Sequence, residues 1–209
     1  MGKKRLILGS SIIIFGLGLF CIVYFSLVNK DNNEYLNYKV SSAEADYDIL
    51  DGINALEEKA PIVVKVKYTG KRIIKEWKDT SGQVLEKSSE TTLKVSEVLK
   101  GSLNSDSPNI TVYEPAHFEN NTFVSIEGYN LMQNGKDYIL FLRPMPDDEA
   151  YIIVGMYQGK YDLSSSELAT PAKSVNKYED IIDKEYFGDN IEGFNKLKTQ
   201  VLKKYKNNK

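Results

Sequence analysis

His117 is the sole histidine, and Glu114 and Glu119 flank it in Glu114-Pro115-Ala116-His117-Phe118-Glu119. An imidazole among carboxylates can ligate a metal, but transition-metal sites draw on several His or Cys ligands. The sole cysteine, Cys21, lies far off in an apolar run. A surface-loop histidine and no metal site are therefore expected. Pro146-Asp147-Asp148-Glu149 gathers oxygens that suit Ca²⁺, yet it lacks the alternating ligands and central glycine of an EF-hand. It reads as a solvated hairpin loop. Ser164-Ser165-Ser166 has no Gly-x-Ser-x-Gly frame, and Ser174-Val175-Asn176-Lys177 spells Ser-x-x-Lys without its supporting motifs. Asn109-Ile110-Thr111 and Asn120-Asn121-Thr122 match glycosylation sequons. With 29 acidic residues, a carboxylate pair for general acid–base chemistry stays open, but no spacing singles one out. The expectation is a protein that is not an enzyme, with no catalytic residue and no cofactor. The 14 tyrosines, among them Tyr113, Tyr129, Tyr151, Tyr157 and Tyr161, offer rigid contact area for a recognition surface, half or more of them serving instead as packing.

The elements that would position these residues begin after an N-terminal segment. Leu6 to Val28 carries no charge, and a helix of that length crosses a bilayer core of about 30 Å. Lys3, Lys4 and Arg5 precede it, which sets the N-terminus in the cytoplasm. Tyr24-Phe25-Ser26-Leu27-Val28 offers no small-x-small cleavage site, and Phe20 before Cys21 does not suit lipid attachment. The expected plan is a basic tail at 1–5, a membrane helix at 6–28, a polar stalk at 29–40, a β domain at 41–165 and a helical segment at 166–209. This makes a single-pass cell-membrane protein with its C-terminal domain extracellular. Its partners would be the lipid bilayer through residues 6–28 and an unidentified protein or envelope polymer.

Beyond the basic tail, 24 basic residues face 29 acidic ones, a net charge of −5 that argues against nucleic acid as a partner. Only Arg5, Arg72 and Arg143 among the basic residues are not Lys, and with the frequent Asn, Ile and Tyr this is the bias of an AT-rich bacterial genome.

Within the domain, Ser41-Ser42-Ala43-Glu44 has the form of a capping box. Ala45, Ile49, Ile53, Leu56 and Ala60 follow at helical spacing, which predicts one helix ending at Pro61. The period then changes. Ile62, Val64, Val66 and Tyr68 alternate with more polar neighbours, so a strand runs past Ile74 and Trp77 to a turn at Asp79-Thr80-Ser81-Gly82 and returns along 84–99. Further strands are expected at 110–113, 123–126, 138–142, 151–156 and 160–163, an antiparallel barrel or sandwich pattern. Asp189-Asn190-Ile191-Glu192 forms a second capping box before an apolar stripe of Ile191, Phe194, Leu197, Val201, Leu202 and Tyr205. Lys196, Lys198, Lys203, Lys204 and Lys206 would occupy the other face. The stripe is expected to pack on its own domain rather than lie on the membrane.

Leu93-Lys94-Val95-Ser96-Glu97-Val98-Leu99-Lys100-Gly101 is followed by Ile110–Tyr113, Leu131 and Gly135-Lys136-Asp137-Tyr138-Ile139-Leu140-Phe141-Leu142. These segments resemble the netrin-like module of tissue inhibitors of metalloproteases, a variant of the OB-fold barrel. A strand ending in Leu-Lys-Gly and a later Gly-x-x-Tyr strand recur there at comparable spacing. The resemblance covers residues 60–165. The chain is also similar to small membrane-anchored bacterial proteins of unassigned function with a closing strand like Gln158–Leu163. What the resemblance implies is a small barrel. Inhibition does not carry over, because that family ligates zinc through a disulfide-fixed N-terminal Cys and this domain has none. Three roles follow: a membrane-tethered binding module, an envelope hydrolase using a carboxylate pair, or a structural subunit of a membrane complex.

Overall fold

A computed structural model describes residues 34–104, 107–146, 148–172 and 174–206. The expected basic tail and the membrane helix at 6–28 lie outside the described residues. Among the described residues, no helix is long and apolar enough to cross a membrane. Among the described residues the domain is mainly β, with two α-helices of defined extent, one of them C-terminal.

Two long strands, β2 (Ile62–Lys78) and β3 (Val84–Lys100), dominate the sheet, and β4 (Asn109–Glu114), β7 (Asp137–Pro144), β8 (Ala150–Ile153) and β9 (Lys160–Asp162) join them. The pairing order is β2-β3-β4-β8-β7-β9, and β7 also pairs with β2, so the pairings of five strands return to their start. All contacts in this ring are antiparallel except β4 with β8. Alternation sets one face of the strands: Val64 opposes Leu140, Val66 opposes Tyr138, and Leu93 opposes Ile110, all buried. The opposite face of β7 is buried as well, which explains the continuous apolar run Tyr138–Leu142. Phe141 there meets Tyr161 and Tyr205 edge-on at centroid distances of 6.2 and 5.9 Å.

A second, three-stranded sheet has the order β1-β6-β5, with β1 at Lys39–Ala43, β5 at Ala116–Glu119 and β6 at Thr122–Ile126. Asn120 and Asn121, at φ 47° and 58°, form the tight turn between β5 and β6, the left-handed pair that suits a hairpin.

Several expectations change here. The helix expected over 41–60 is confined to α1, Ile53–Lys59. Ser41, Ser42 and Ala43 pair instead with Val124, Ser125 and Ile126, and Ile49 is 69% exposed. The capping-box pattern is outcompeted by a parallel strand contact with residues some 80 positions on, and Gly52, at φ 95°, starts the helix late. The polar stretch expected as a stalk is tied down from Tyr35 on, whose ring stacks on Phe118 at 4.3 Å. Residues 166–190 are largely irregular. The C-terminal helix α2 spans Ile191–Val201, capped by Asn190 rather than Asp189 and continued by a wider turn over Leu202–Lys206. Phe194, Leu197, Val201 and Tyr205 pack on the domain as expected, but Lys198 is buried with them at 2% exposure.

Candidate functional site

The β2–β3 pairing is interrupted between Tyr68 and Arg72, where residues 69–71 bulge out of register. Gly70, at φ 89°, provides the turn, and Arg72, the next paired residue, aims inward. It meets Glu114 at the end of β4. Glu114 is wholly buried, and five donors converge on its carboxylate: Arg72 Nη2 at 2.6 Å and Nε at 3.2 Å, Thr91 Oγ1 at 2.6 Å, Tyr129 OH at 2.9 Å and the Met132 amide at 2.8 Å. Burial opposes the charge, but Arg72 and Lys160 outweigh it and hold this carboxyl below its ordinary range. Its acceptor positions are filled, so Glu114 anchors the fold and has no lone pair to offer a substrate.

Lys160 on β9 stands beside this anchor at 2% exposure, its Nζ donating to the Asn130 carbonyl and lying 4.1 Å from the Tyr129 ring centroid. Burial pushes its amine down to about 8. Lys160 also lines a polar cleft of about 210 Å³, together with Tyr138, Asp162, Thr170, Glu185 and Lys198. Asp162, Glu167, Asp183 and Glu185 bring four acidic side chains to it, of which Asp162 and Glu185 are the most buried. The Asp162 amide donates to Glu185 Oε1 at 2.6 Å, Lys198 pairs with Glu185 at 2.7 Å, and Lys136 pairs with Asp162 at 3.1 Å. Their surroundings drive the two acids apart. Burial outweighs Lys198 and pushes Glu185 up, whereas at Asp162 burial is outweighed by Ser164 and Lys136, which hold it low. One acid is thus raised and the other lowered within the same cleft, while both Glu185 oxygens are engaged, by the Asp162 amide and Lys198.

The residues that drew attention in the sequence are dispersed. His117 is not in a surface loop: it lies on β5, buried, with Nε2 3.5 Å from Glu119. No group of three metal-binding side chains occurs among the described residues. Asp148 of the acidic turn accepts from Tyr113 OH at 2.5 Å and pairs with Lys75 at 3.6 Å, while Asp147 lies outside the described residues. Lys177 reaches Asn37 and Glu179 rather than Ser174. The five tyrosines 113, 129, 151, 157 and 161 are all buried, so they form core and not a recognition surface.

Exposed contact area is found instead on the outer halves of β2 and β3, an arm that extends beyond the ring. Ile73, Ile74, Val84 and Leu85 are exposed on it, Leu85 at 67%. Trp77 packs edge-on against Tyr113 at 4.9 Å, and Lys75 reaches Asp148, so the arm is braced against the β7–β8 turn. A strand running past Ile74 and Trp77 was visible in the sequence. That Ile73, Ile74 and Leu85 would stand in solvent was not.

No protein-family model matches this chain, and no curated protein matches it in sequence.

Proposed function

We propose that this protein is a membrane-tethered binding module outside the cell, contacting a protein or an envelope polymer through the β2–β3 arm and the β7–β8 turn. The observation that carries the reading is the arm, where apolar side chains stand in solvent on a braced two-stranded ribbon while the interior polar groups of the Glu114 anchor are saturated. Surface patches of this kind mark contact sites. Tethering rests on the uncharged run at 6–28 and the basic residues before it. The cyclic pairing with its single parallel contact, β4 with β8, favours a five-stranded barrel of OB type, a fold that binds ligands on its strands and adjoining loops. The likeness to netrin-like modules is consistent with that pairing.

The test is a photo-crosslinking residue at position 74 or 85 of the full chain in cells, with position 168 as an exposed control away from the arm. A discrete adduct at 74 and 85 but not at 168 is expected. Equal labelling at all three, or none at the arm, removes the reading. A protease that fails to reach a C-terminal tag on intact cells removes the outward orientation.

A second reading, an envelope hydrolase, is favoured by Asp162 and Glu185 in the polar cleft, driven in opposite directions. Under it, Asp162→Asn and Glu185→Gln abolish turnover of cell-wall polymer while the fold survives. Equal activity in both variants would exclude this pair.

A further inference from the structure

A second depression opens between residues 47–50 and the turn at 153–156, and no residue of β2 or β3 lines it. Its volume is about 510 Å³, within the range of small-molecule sites. Leu50, Ile153, Val154 and Met156 give it an apolar floor, and Lys59 and Arg143 line it as cations.

The groove is preformed, because one side chain ties both walls. Gln158 Oε1 accepts from the Leu50 amide at 2.7 Å, while its Nε2 donates to the Asp48 carbonyl at 2.9 Å and to the Gly155 carbonyl at 3.2 Å. The turn itself holds two left-handed residues in succession, Gly155 at φ 63° and Met156 at φ 53°. A Cβ at Gly155 would come within 3.0 Å of Gln158 Nε2, so both the turn and the tie require glycine there. The left-handed Met156 is uncommon for its residue type and sits on the groove floor.

Charge then selects the occupant. Lys59 is neutralised by Asp48, leaving Arg143 to set the charge of the groove. Among the described residues, the Arg143 side chain has no hydrogen-bond or ion-pair partner, its backbone pairing with Ile152. The chain uses lysine for 24 of its basic residues, and the other described arginine, Arg72, serves a two-pronged bond to Glu114 that lysine could not reproduce. A guanidinium with free donors beside an apolar floor matches a carboxylate bearing a hydrocarbon chain. The Asp48 carboxylate in the wall disfavours a doubly charged group such as a phosphate monoester. We propose that this groove binds a small aliphatic monocarboxylate, with Arg143 clasping the carboxylate and Leu50, Ile153, Val154 and Met156 receiving the chain. The site is independent of the arm and of its partner.

Met156 supplies a reporter. The full chain, labelled with ¹³C-methyl methionine and held in phospholipid nanodiscs, is titrated with octanoate. The Met156 resonance is expected to move saturably while the core Met132 resonance stays fixed. Arg143→Gln, on an exposed side chain, is expected to raise the half-saturation concentration about tenfold, the loss of one paired ionic contact, and Arg143→Lys to fall between. An unmoved Met156 resonance, an identical curve for Arg143→Gln, or equal binding of octyltrimethylammonium each overturns the proposal. So does saturation by a tripeptide ending in leucine when octanoate gives none, which would assign the groove to a peptide terminus.

Discussion

Strand β2 passes through two environments, and the passage occurs at the bulge of residues 69–71. Before it, Val64, Val66 and Leu93 are sealed between neighbours on both sides, and β2 has β3 along one edge and β7 along the other. After it, β2 keeps β3 but loses β7, and Ile73 and Ile74 stand in solvent. The backbone pairing of β2 with β3 is nearly the same in both halves; the burial is not. Cross-strand pairing and the Trp77 and Lys75 braces thus sustain the ribbon, while packing on both sides fixes the ring. Arg72 and Glu114 sit at the junction, so the arm springs from the most heavily hydrogen-bonded point of the interior.

The most severe way to break this comparison is to unmake the junction. Glu114→Ala leaves the Arg72 guanidinium buried without its partner, and a loss of about 3–5 kcal/mol is expected, measured by urea unfolding followed by circular dichroism. Replacing both residues, Arg72→Met with Glu114→Leu, is expected to restore much of that loss, because the uncompensated charge is what costs most. A loss under about 1 kcal/mol for the single variant would mean that the junction does not anchor the ring.

Lys160 sharpens the same contrast between interior and surface charge. Burial lowers its amine from the ordinary 10.5 to about 8. Between those values the unfolded chain binds a proton that the folded one has released, so stability rises with pH across that window. The slope is at most about 1.4 kcal/mol per pH unit. Tyr129 and Tyr161, whose hydroxyls are pushed up by burial, act in the opposite sense above their ordinary value of 10.0. The measurement is therefore the difference between the native protein and Lys160→Met from pH 8 to 10, where the variant should lack the rise. Parallel curves would place the Lys160 proton elsewhere.

Much of the ring is legible in the sequence because its signals are local. The period-two pattern of Ile62–Tyr68, the Asp79–Gly82 turn and the apolar run Tyr138–Leu142 each lie within a few residues. The α2 stripe is legible for the same reason. What escaped depends on distant partners. Ser41–Ala43 imitates a helix start until β6 pairs with it, and His117 resembles a loop residue until β5 forms beside β6. Lys198 and Lys160 look like ordinary surface lysines, since Glu185 and Asn130, which receive them, are 13 and 30 residues away. Glu114, followed by Pro115, gave no hint that Arg72 would arrive through a bulge. The polar cleft likewise joins β9, the irregular segment and α2, which no single window contains.

A milder perturbation asks whether the arm opens by itself. Trp77 is the only tryptophan and packs against Tyr113 at the arm's brace, so its fluorescence reports this contact. Amides of 72–78 and 84–88 are expected to exchange with solvent deuterium through local opening, well before those of Val64, Val66 and Leu140 in the ring. In urea, the Trp77 emission should shift at lower concentration than the circular dichroism. Coincident transitions would mean that the bulge transmits the cooperativity of the ring to the tip, and that the two halves form one unit.

The smallest effect on stability belongs to the apolar residues of the arm, and it discriminates best between folding and recognition. Ile74→Thr and Leu85→Thr keep β-branched or strand-compatible side chains at positions already in water, so little transfer free energy is lost. Each is expected to change stability by less than about 0.5 kcal/mol. Each should nonetheless remove most of the crosslinking expected at the arm, because hydrophobic residues left in solvent on a braced ribbon contribute chiefly to contact with something else. Asp79 supplies the matching control: its Oδ1 accepts from the amides of Ser81 and Gln83 at 2.8 and 2.9 Å and so fixes the turn without presenting an apolar surface. Asp79→Ala is expected to loosen the tip, seen as faster exchange of its amides, while leaving Ile74 and Leu85 on the ribbon and the crosslinks largely intact. If instead the threonine variants destabilise the ring as much as a core truncation does, those side chains belong to the packing of the domain and the arm is not a recognition surface.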